Sequence, residues 1–203
     1  MVCILTFFSN LYIFALNLKL TNMENQGNPM LKHTMNYGLI MGVILVIVSL
    51  VTYLFGVMKT PTWVNIINYA IIIAIIVWGT IKYRNEVLGG SITYGNALGF
   101  GVLITLFAGI IVAVFTLLLA TVIDPDYADK LLVLAEEEML NRGIPDEQME
   151  MALDMQKKFM TPVFISLSSL FGMVLMGFIF SLITSIFLKK EKSPFAGSNE
   201  VME

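Results

Sequence analysis

Charge, cysteine and histidine are all scarce in this sequence. Of its 203 residues only 13% are Asp, Glu, Lys or Arg, which is about half the share found in soluble domains. The net charge is −3, so a broadly basic surface for nucleic acid is excluded. The one cysteine, Cys3, has no partner for an internal disulfide, so cysteine usage does not indicate a redox compartment.

The residue patterns of enzyme sites are also missing. His33 is the one histidine and it precedes the apolar segments, so a Ser-His-Asp or Cys-His site within them would lack its base. No HExxH zinc motif occurs, and the glycine spacing of 90–95 is followed by Asn96 where a phosphate-binding loop requires Lys. We therefore expect no enzyme activity and no catalytic or cofactor-binding residues.

Two patterns in the segment 124–161 could attract metal ions. Its five methionines carry thioethers that suit Cu(I), and the run 136–138 of three glutamates could attract divalent cations. Methionine is also a common apolar filler, and neither cysteine nor histidine lies nearby in the sequence. A solvated acidic face is the simpler interpretation, so we predict no metal-binding residues.

Four long segments contain no charged residue at all, namely 34–58, 60–81, 87–123 and 159–188. A helix rises about 1.5 Å per residue, so about 20 apolar residues cross a hydrocarbon core of about 30 Å. Each segment is long enough. The sequence therefore predicts an all-α integral membrane protein with one domain over 30–188 and transmembrane helices at 37–57, 63–81, 97–123 and 162–188.

The acidic segment 124–161 is predicted to form an amphipathic helical hairpin outside the membrane, between the third and fourth spans. Asp126 follows a proline at the start of the first arm, Gly143 can end that arm, and Pro145 can begin the second. The first arm has an apolar stripe at helical spacing and the second has a largely apolar face, and we expect both to be buried. The stripes are Ala128, Leu131, Leu132, Ala135 and Met139, then Gln148, Met151, Ala152, Met155 and Phe159.

Small residues recur at four-residue spacing within the spans. In lipid, helices associate through close packing of such residues, so we expect them at contacts within the chain. A permeation path or a homodimer seam is the alternative. No ionisable residue lies in the middle of a span, so proton-coupled transport is not expected. The residues are Ala97, Gly101, Thr105, Gly109 and Ala113; Gly177, Ser181 and Ser185 with Ser168 and Gly172; and Gly38 and Gly42.

Positive charges in the flanks predict the orientation. One side carries six, at Lys32, Lys82, Arg84, Lys189, Lys190 and Lys192, and the other carries five, at Lys59, Lys130, Arg142, Lys157 and Lys158. The cluster after the fourth span decides the assignment. We predict a multi-pass protein of the inner membrane with both termini in the cytoplasm and a cytoplasmic tail over 189–203.

Residues 1–29 form a lead-in to the first span. Its first 18 residues are apolar, but no basic residue precedes Lys19 and no small-residue cleavage site follows, so a signal peptide is disfavoured. A start at Met23 or Met30 is the favoured interpretation. A fifth helix over 1–18 is the alternative.

The chain resembles a family of bacterial membrane proteins, domain of unknown function 4199. The likeness covers about 30–188. It rests on the opening 36–39 of the first span, the segment 90–97 that leads into the third, and the acidic, Met-rich loop that ends at 157–162. The resemblance implies four spans and assigns no activity, so it adds no site residues.

Two classes of function remain open. The favoured one is a structural or accessory membrane protein, in contact with the lipid bilayer, whose outer hairpin binds a protein partner or a second copy of the chain. The alternative is an oligomeric channel or transporter for a small molecule or ion, with the stripe of the third span lining the path. A polar cavity between the third and fourth spans would favour transport, and a dry, packed contact would favour the first class.

Overall fold

The computed structural model describes residues 28–56 and 61–190. The fifth-helix and start-site alternatives, Lys59 and most of the tail lie outside these ranges. Within them the chain is helical and contains no strand. Its helices are α1 (Pro29–Leu54), α2 (Thr62–Glu86), α3 (Tyr94–Leu118), α4 (Tyr127–Asn141), α5 (Asp146–Phe159) and α6 (Pro162–Leu188), with a π-helical turn, Leu119–Ile123, extending α3.

The prediction of four apolar helices long enough to cross a membrane is confirmed. They are Pro29–Leu54, Thr62–Glu86, Tyr94–Ile123 and Pro162–Leu188. Three begin before the predicted spans: α2 by one residue, after Pro61, and α1 and α3 by more, because polar residues cap them. The Asn28 side chain accepts from the Met30 N–H at 3.1 Å, and Thr93 accepts from the Asn96 N–H at 3.4 Å. The 90–95 segment is therefore the turn and cap that begin α3, with φ of +88° at Gly90.

The seam between α3 and α6 is the most extensive contact in the bundle. A Cβ added at Gly101 would collide with the Ser181 side chain, and one added at Gly177 would collide with Thr105. A Cβ at Gly109 would lie 2.9 Å from Leu170 Cδ1. On each helix a glycine therefore lies against a hydroxyl side chain of the other helix. Both contacts involve residues four apart, since Gly101 and Thr105 of α3 face Ser181 and Gly177 of α6.

The opposite side of α3 packs against α1 in the same way. A Cβ at Gly38 would lie 2.6 Å from Phe107 Cβ and 2.8 Å from the Ile104 carbonyl oxygen. One at Gly42 would lie 2.9 Å from Ile111 Cβ. Five of the six predicted glycines therefore make contacts within the chain. Gly172 does not, since a Cβ there meets nothing within 4 Å, and the predicted contact residue Ser168 is exposed.

The core lies in two clusters along α3. One surrounds Phe100, which is fully buried and stacks on Tyr83 of α2 with ring centroids 4.5 Å apart. The other joins Val46 and Leu50 of α1 to Phe115 and Leu119. Helix α2 makes the fewest contacts of the four long helices, so most of its surface faces outward.

Replacing Gly109 with Leu should lower the free energy of unfolding by about 1–3 kcal/mol, because the new side chain overpacks the seam. Gly172→Leu is the matched control: it makes the same change on α6 where space is open, so it should cost much less. Thermal unfolding in a mild detergent measures both. Equal stability of the two variants would show that Gly109 does not face α6.

Candidate functional site at the Asp124 end of the bundle

The end of α3 departs from regular helix geometry at the point where the apolar run stops. The Asp124 N–H bonds the Leu119 carbonyl oxygen at 2.8 Å, five residues back, which defines a π-turn. Such turns are rare and occur often at functional sites. The sequence predicted an uninterrupted α-helix over 97–123, whereas in the structure the last five residues of this segment form a π-helical turn. It places Asp124 in a buried position at the end of the bundle.

Asp124 is the one buried carboxylate among the described residues. Its Oδ2 accepts a hydrogen bond from Lys130 Nζ at 2.6 Å. This bond lowers the pKa of Asp124, and the nearby Tyr53 hydroxyl acts in the same direction against the effect of burial. The same bond raises the pKa of Lys130. Burial, followed by the charge of Asp124, raises the pKa of Tyr127.

A cavity of about 290 Å³ lies next to this pair and between the four long helices. No charged side chain lines it. The Thr52 hydroxyl is satisfied by the Val48 carbonyl oxygen at 2.7 Å, whereas Asn68 Oδ1 is buried and finds no hydrogen-bond donor among the described residues. The polar lining residues are Ser49, Thr52, Tyr53, Asn65, Asn68 and Tyr127.

Sequence reasoning named no site residues here. Ser49, Thr52, Asn65 and Asn68 stand out in the sequence only as polar groups within spans, and the structure brings all four to one cavity. Thr105 and Ser181 lie elsewhere, in the seam between α3 and α6. The feature of the sequence that could have indicated the ion pair is Asp124 at the end of an apolar segment, with Lys130 six residues later.

The predicted burial holds in part for the stripe of α4, whose five residues are all half-buried, and is wrong for the stripe of α5. Neither α4 nor α5 contains a buried residue. In α5 the predicted stripe is largely exposed, with Met151 at 68%, Met155 at 61% and Phe159 at 52%. The less exposed side of α5 includes Met149 and Leu153, so the helix is rotated from the predicted orientation.

Besides the Lys130–Asp124 pair, α4 and α5 contain two ion pairs between near neighbours in sequence. Arg142 lies 3.5 Å from Glu138 and Lys157 lies 3.8 Å from Asp154, and all four side chains are exposed, so these pairs stabilise little. Within the described residues no group of three or more His, Cys, Asp or Glu side chains could hold a metal ion. His33 packs against the Tyr83 ring at a centroid distance of 5.8 Å.

Comparison with known proteins identifies the family. The model of the family described as Protein of unknown function (DUF4199) matches residues 36–190, which include most of α1 and all the helices that follow. The chain belongs to this family. None of the curated proteins and none of the solved structures with which the chain was compared matches it.

Replacing Asp124 with Asn should make stability less dependent on acid pH. Because the pKa of Asp124 is lowered from 3.8 in the folded chain, the carboxylate stabilises the fold above that pH and loses its contribution as pH falls below it. Asp124→Asn should therefore be less stable than the parent at neutral pH. The difference should shrink as the buffer is taken from about pH 6 to about pH 3, in thermal unfolding scans.

The exposed neighbour Asp126 provides the control, since Asp126→Asn should change stability little at neutral pH. A stability difference between Asp124→Asn and the parent that stays constant across this pH range would contradict an ionic role for Asp124.

Proposed function

We propose that this chain is a non-enzymatic structural or accessory protein of the inner membrane, with both termini in the cytoplasm. In this proposal α4 and α5 lie outside the membrane on the opposite side and bind a protein partner. The four apolar helices hold that segment at the membrane surface.

The charge of the 124–161 segment supports its place outside the bilayer. It contains ten acidic and four basic residues, and a charged side chain in the hydrocarbon region is costly. Its ends adjoin α3 and α6 on the same side of the bundle, next to Asp124. The basic cluster at 189–192 follows the other end of α6, which supports a cytoplasmic position there.

The observation that carries the partner-binding role is the exposed ridge of α5, formed by Met151, Met155 and Phe159. These side chains are each more than half exposed and lie four residues apart along one face. Apolar surface of this kind on a water-facing helix marks an interaction site. Methionine suits such a surface because its flexible thioether adapts to different shapes.

The charges beside the ridge indicate what covers it. Helices that lie in a lipid surface are usually rich in Lys and Arg, whereas α5 carries four acidic residues, at Asp146, Glu147, Glu150 and Asp154, against two lysines. An anionic lipid surface would repel this helix. A protein partner with an apolar groove and a basic rim fits the ridge better.

The packing of the bundle supports this role over transport. The stripe of the third span would line a path in a channel or transporter, but Gly101 and Gly109 face α6 side chains, and Thr105 lies against Gly177 of α6. Close packing of this kind at the seam between α3 and α6 favours the structural class.

Cysteine labelling tests the proposal in one experiment. With Cys3 replaced by Ser, Met151→Cys is placed on the ridge and Glu137→Cys on the exposed face of α4. A membrane-impermeant maleimide is applied to right-side-out membrane vesicles, to purified protein in detergent and to protein in liposomes. We expect Glu137→Cys to react in all three preparations. Met151→Cys should react severalfold more slowly in the native vesicles alone, because there a partner covers it.

Each other outcome is decisive. Reaction of Glu137→Cys in detergent but not in right-side-out vesicles would reverse the orientation. Equal reaction of Met151→Cys in native vesicles and detergent would show that no partner covers the ridge. Protection of Met151→Cys in liposomes as well would show that lipid covers it and would overturn the partner-binding role.

A further inference from the structure

We propose that the cavity beside Asp124 is a binding site for a small neutral amphiphile that carries a hydrogen-bond donor. This site is separate from the α5 ridge, and nothing in the partner-binding role requires it. Its volume of about 290 Å³ is roughly ten times the ~30 Å³ that one water molecule occupies in the liquid. The cavity therefore has room for a small organic molecule.

The polarity of the cavity lining changes with depth in the bundle. The residues at the inner end are apolar, and they lie nine or more residues along their helices from the Asp124 end, roughly 13 Å or more into the bundle. Polar side chains such as Ser49, Asn65 and Asn68 lie nearer that end. A ligand with an apolar tail pointing inward and a polar group at the level of these residues matches the division. The inner residues are Leu45, Ile72, Val112 and Met173.

Asn68 defines the polar group that the ligand needs. Its Oδ1 is buried and accepts no hydrogen bond from the described residues, and a buried acceptor without a donor costs free energy. This oxygen has almost no surface accessible to a water-sized probe, so the Asn68 side chain must rotate toward the cavity that it lines for a ligand N–H or O–H to bond it and remove that cost. An acceptor-only ligand would not.

The surroundings favour a neutral ligand. No lining side chain is charged, so an ionised group in the cavity would be desolvated without a partner. The nearest buried charge, Asp124, is already paired with Lys130 at 2.6 Å. A cationic ligand therefore finds no unpaired carboxylate to bind, and an anionic ligand would be repelled by the carboxylate of Asp124.

The opening lies between α1 and α2. Of the lining residues, Ser49 of α1 and Asn65 of α2 are exposed, and both lie within helices that are long and apolar enough to span the membrane. The cavity therefore opens toward the bilayer, from which an amphiphile reaches it by lateral diffusion.

Hexanamide is the probe that tests the proposal, with hexanoate and hexylammonium as charged analogues of the same tail. Purified full-length protein in detergent is titrated with each compound, and the shift of the unfolding temperature is fitted to a binding isotherm. Hexanamide should stabilise the protein saturably, and the charged analogues should not. Asn68→Leu, which keeps the side-chain volume but removes the acceptor, should raise the Kd of hexanamide roughly tenfold.

Asn36→Leu is the matched control, because Asn36 is an exposed asparagine of α1 outside the cavity and its replacement should leave the Kd unchanged. Equal hexanamide binding by Asn68→Leu and the parent would overturn the proposal. So would equal binding of all three compounds.

A second readout does not depend on the Asn68 variant. With Cys3 replaced by Ser, Ser49→Cys at the opening should react with N-ethylmaleimide, and hexanamide should slow that reaction saturably. Ser185→Cys, buried near the other end of α6, should stay unreactive. Absence of protection at Ser49→Cys would mean that the cavity holds water only. Disulfide-linked dimers of Ser49→Cys without protection would mean that a second copy of the chain covers the opening. Either result would overturn the ligand proposal.

Discussion

The interlocking of α3 with α6 is the contact on which the rest of this structure depends. Lipid tails are as apolar as the outward surfaces of these helices, so burying Leu or Ile between helices gains little there, and association rests on close approach. Gly101 and Gly177 allow that approach, since each lies where the other helix presents a hydroxyl side chain, Ser181 or Thr105. A bulky side chain such as Leu at either glycine would force the two longest apolar segments apart.

The same seam explains where the cavity lies. Helix α3 uses one side for α6 and another for the glycines of α1, which leaves α2 with fewer contacts than its neighbours. Near the start of α2, Asn65, Ile66 and Ile67 are exposed, and side chains do not fill the space between this end and α1. Leu119 of the π-turn and Tyr127 at the start of α4 line the end of that space. Tight packing on one side of the bundle and an open cavity on the other follow from the same distribution of small residues.

Much of this architecture could be predicted from the sequence, because the absence of charge over segments of membrane length is a direct physical requirement for spanning. The glycine contacts followed from four-residue spacing. The starts of α1 and α3 were missed by several residues because their caps, Asn28 and Thr93, are polar and look like loop residues in the sequence. The orientation of α5 was missed because apolar side chains occur on two of its faces, at Met149 and Leu153 as well as at Met151 and Met155. Periodicity alone does not choose between them.

The candidate site was beyond sequence reasoning for a different reason. The Asp124–Lys130 pair has a six-residue spacing that fits no regular helix contact and forms only because the chain turns at Pro125. The cavity is lined from all four long helices and from α4, so its existence depends on how they are arranged. Polar residues such as Asn68 are visible in the sequence, but whether each has a partner is decided by the fold.

Disulfide trapping across the seam tests the central claim most directly. In a Cys3→Ser background, Gly101→Cys and Ser181→Cys are combined, since a Cβ at position 101 would lie 3.0 Å from Ser181 Cβ, close to the ~3.8 Å typical of a disulfide. A protease site inserted after Gly143 then cuts the chain between the two cysteines. Mild oxidation should hold the two fragments together on a non-reducing gel, whereas the pair Gly101→Cys and Gly172→Cys should release them. Separation of the fragments from the first pair would contradict the account.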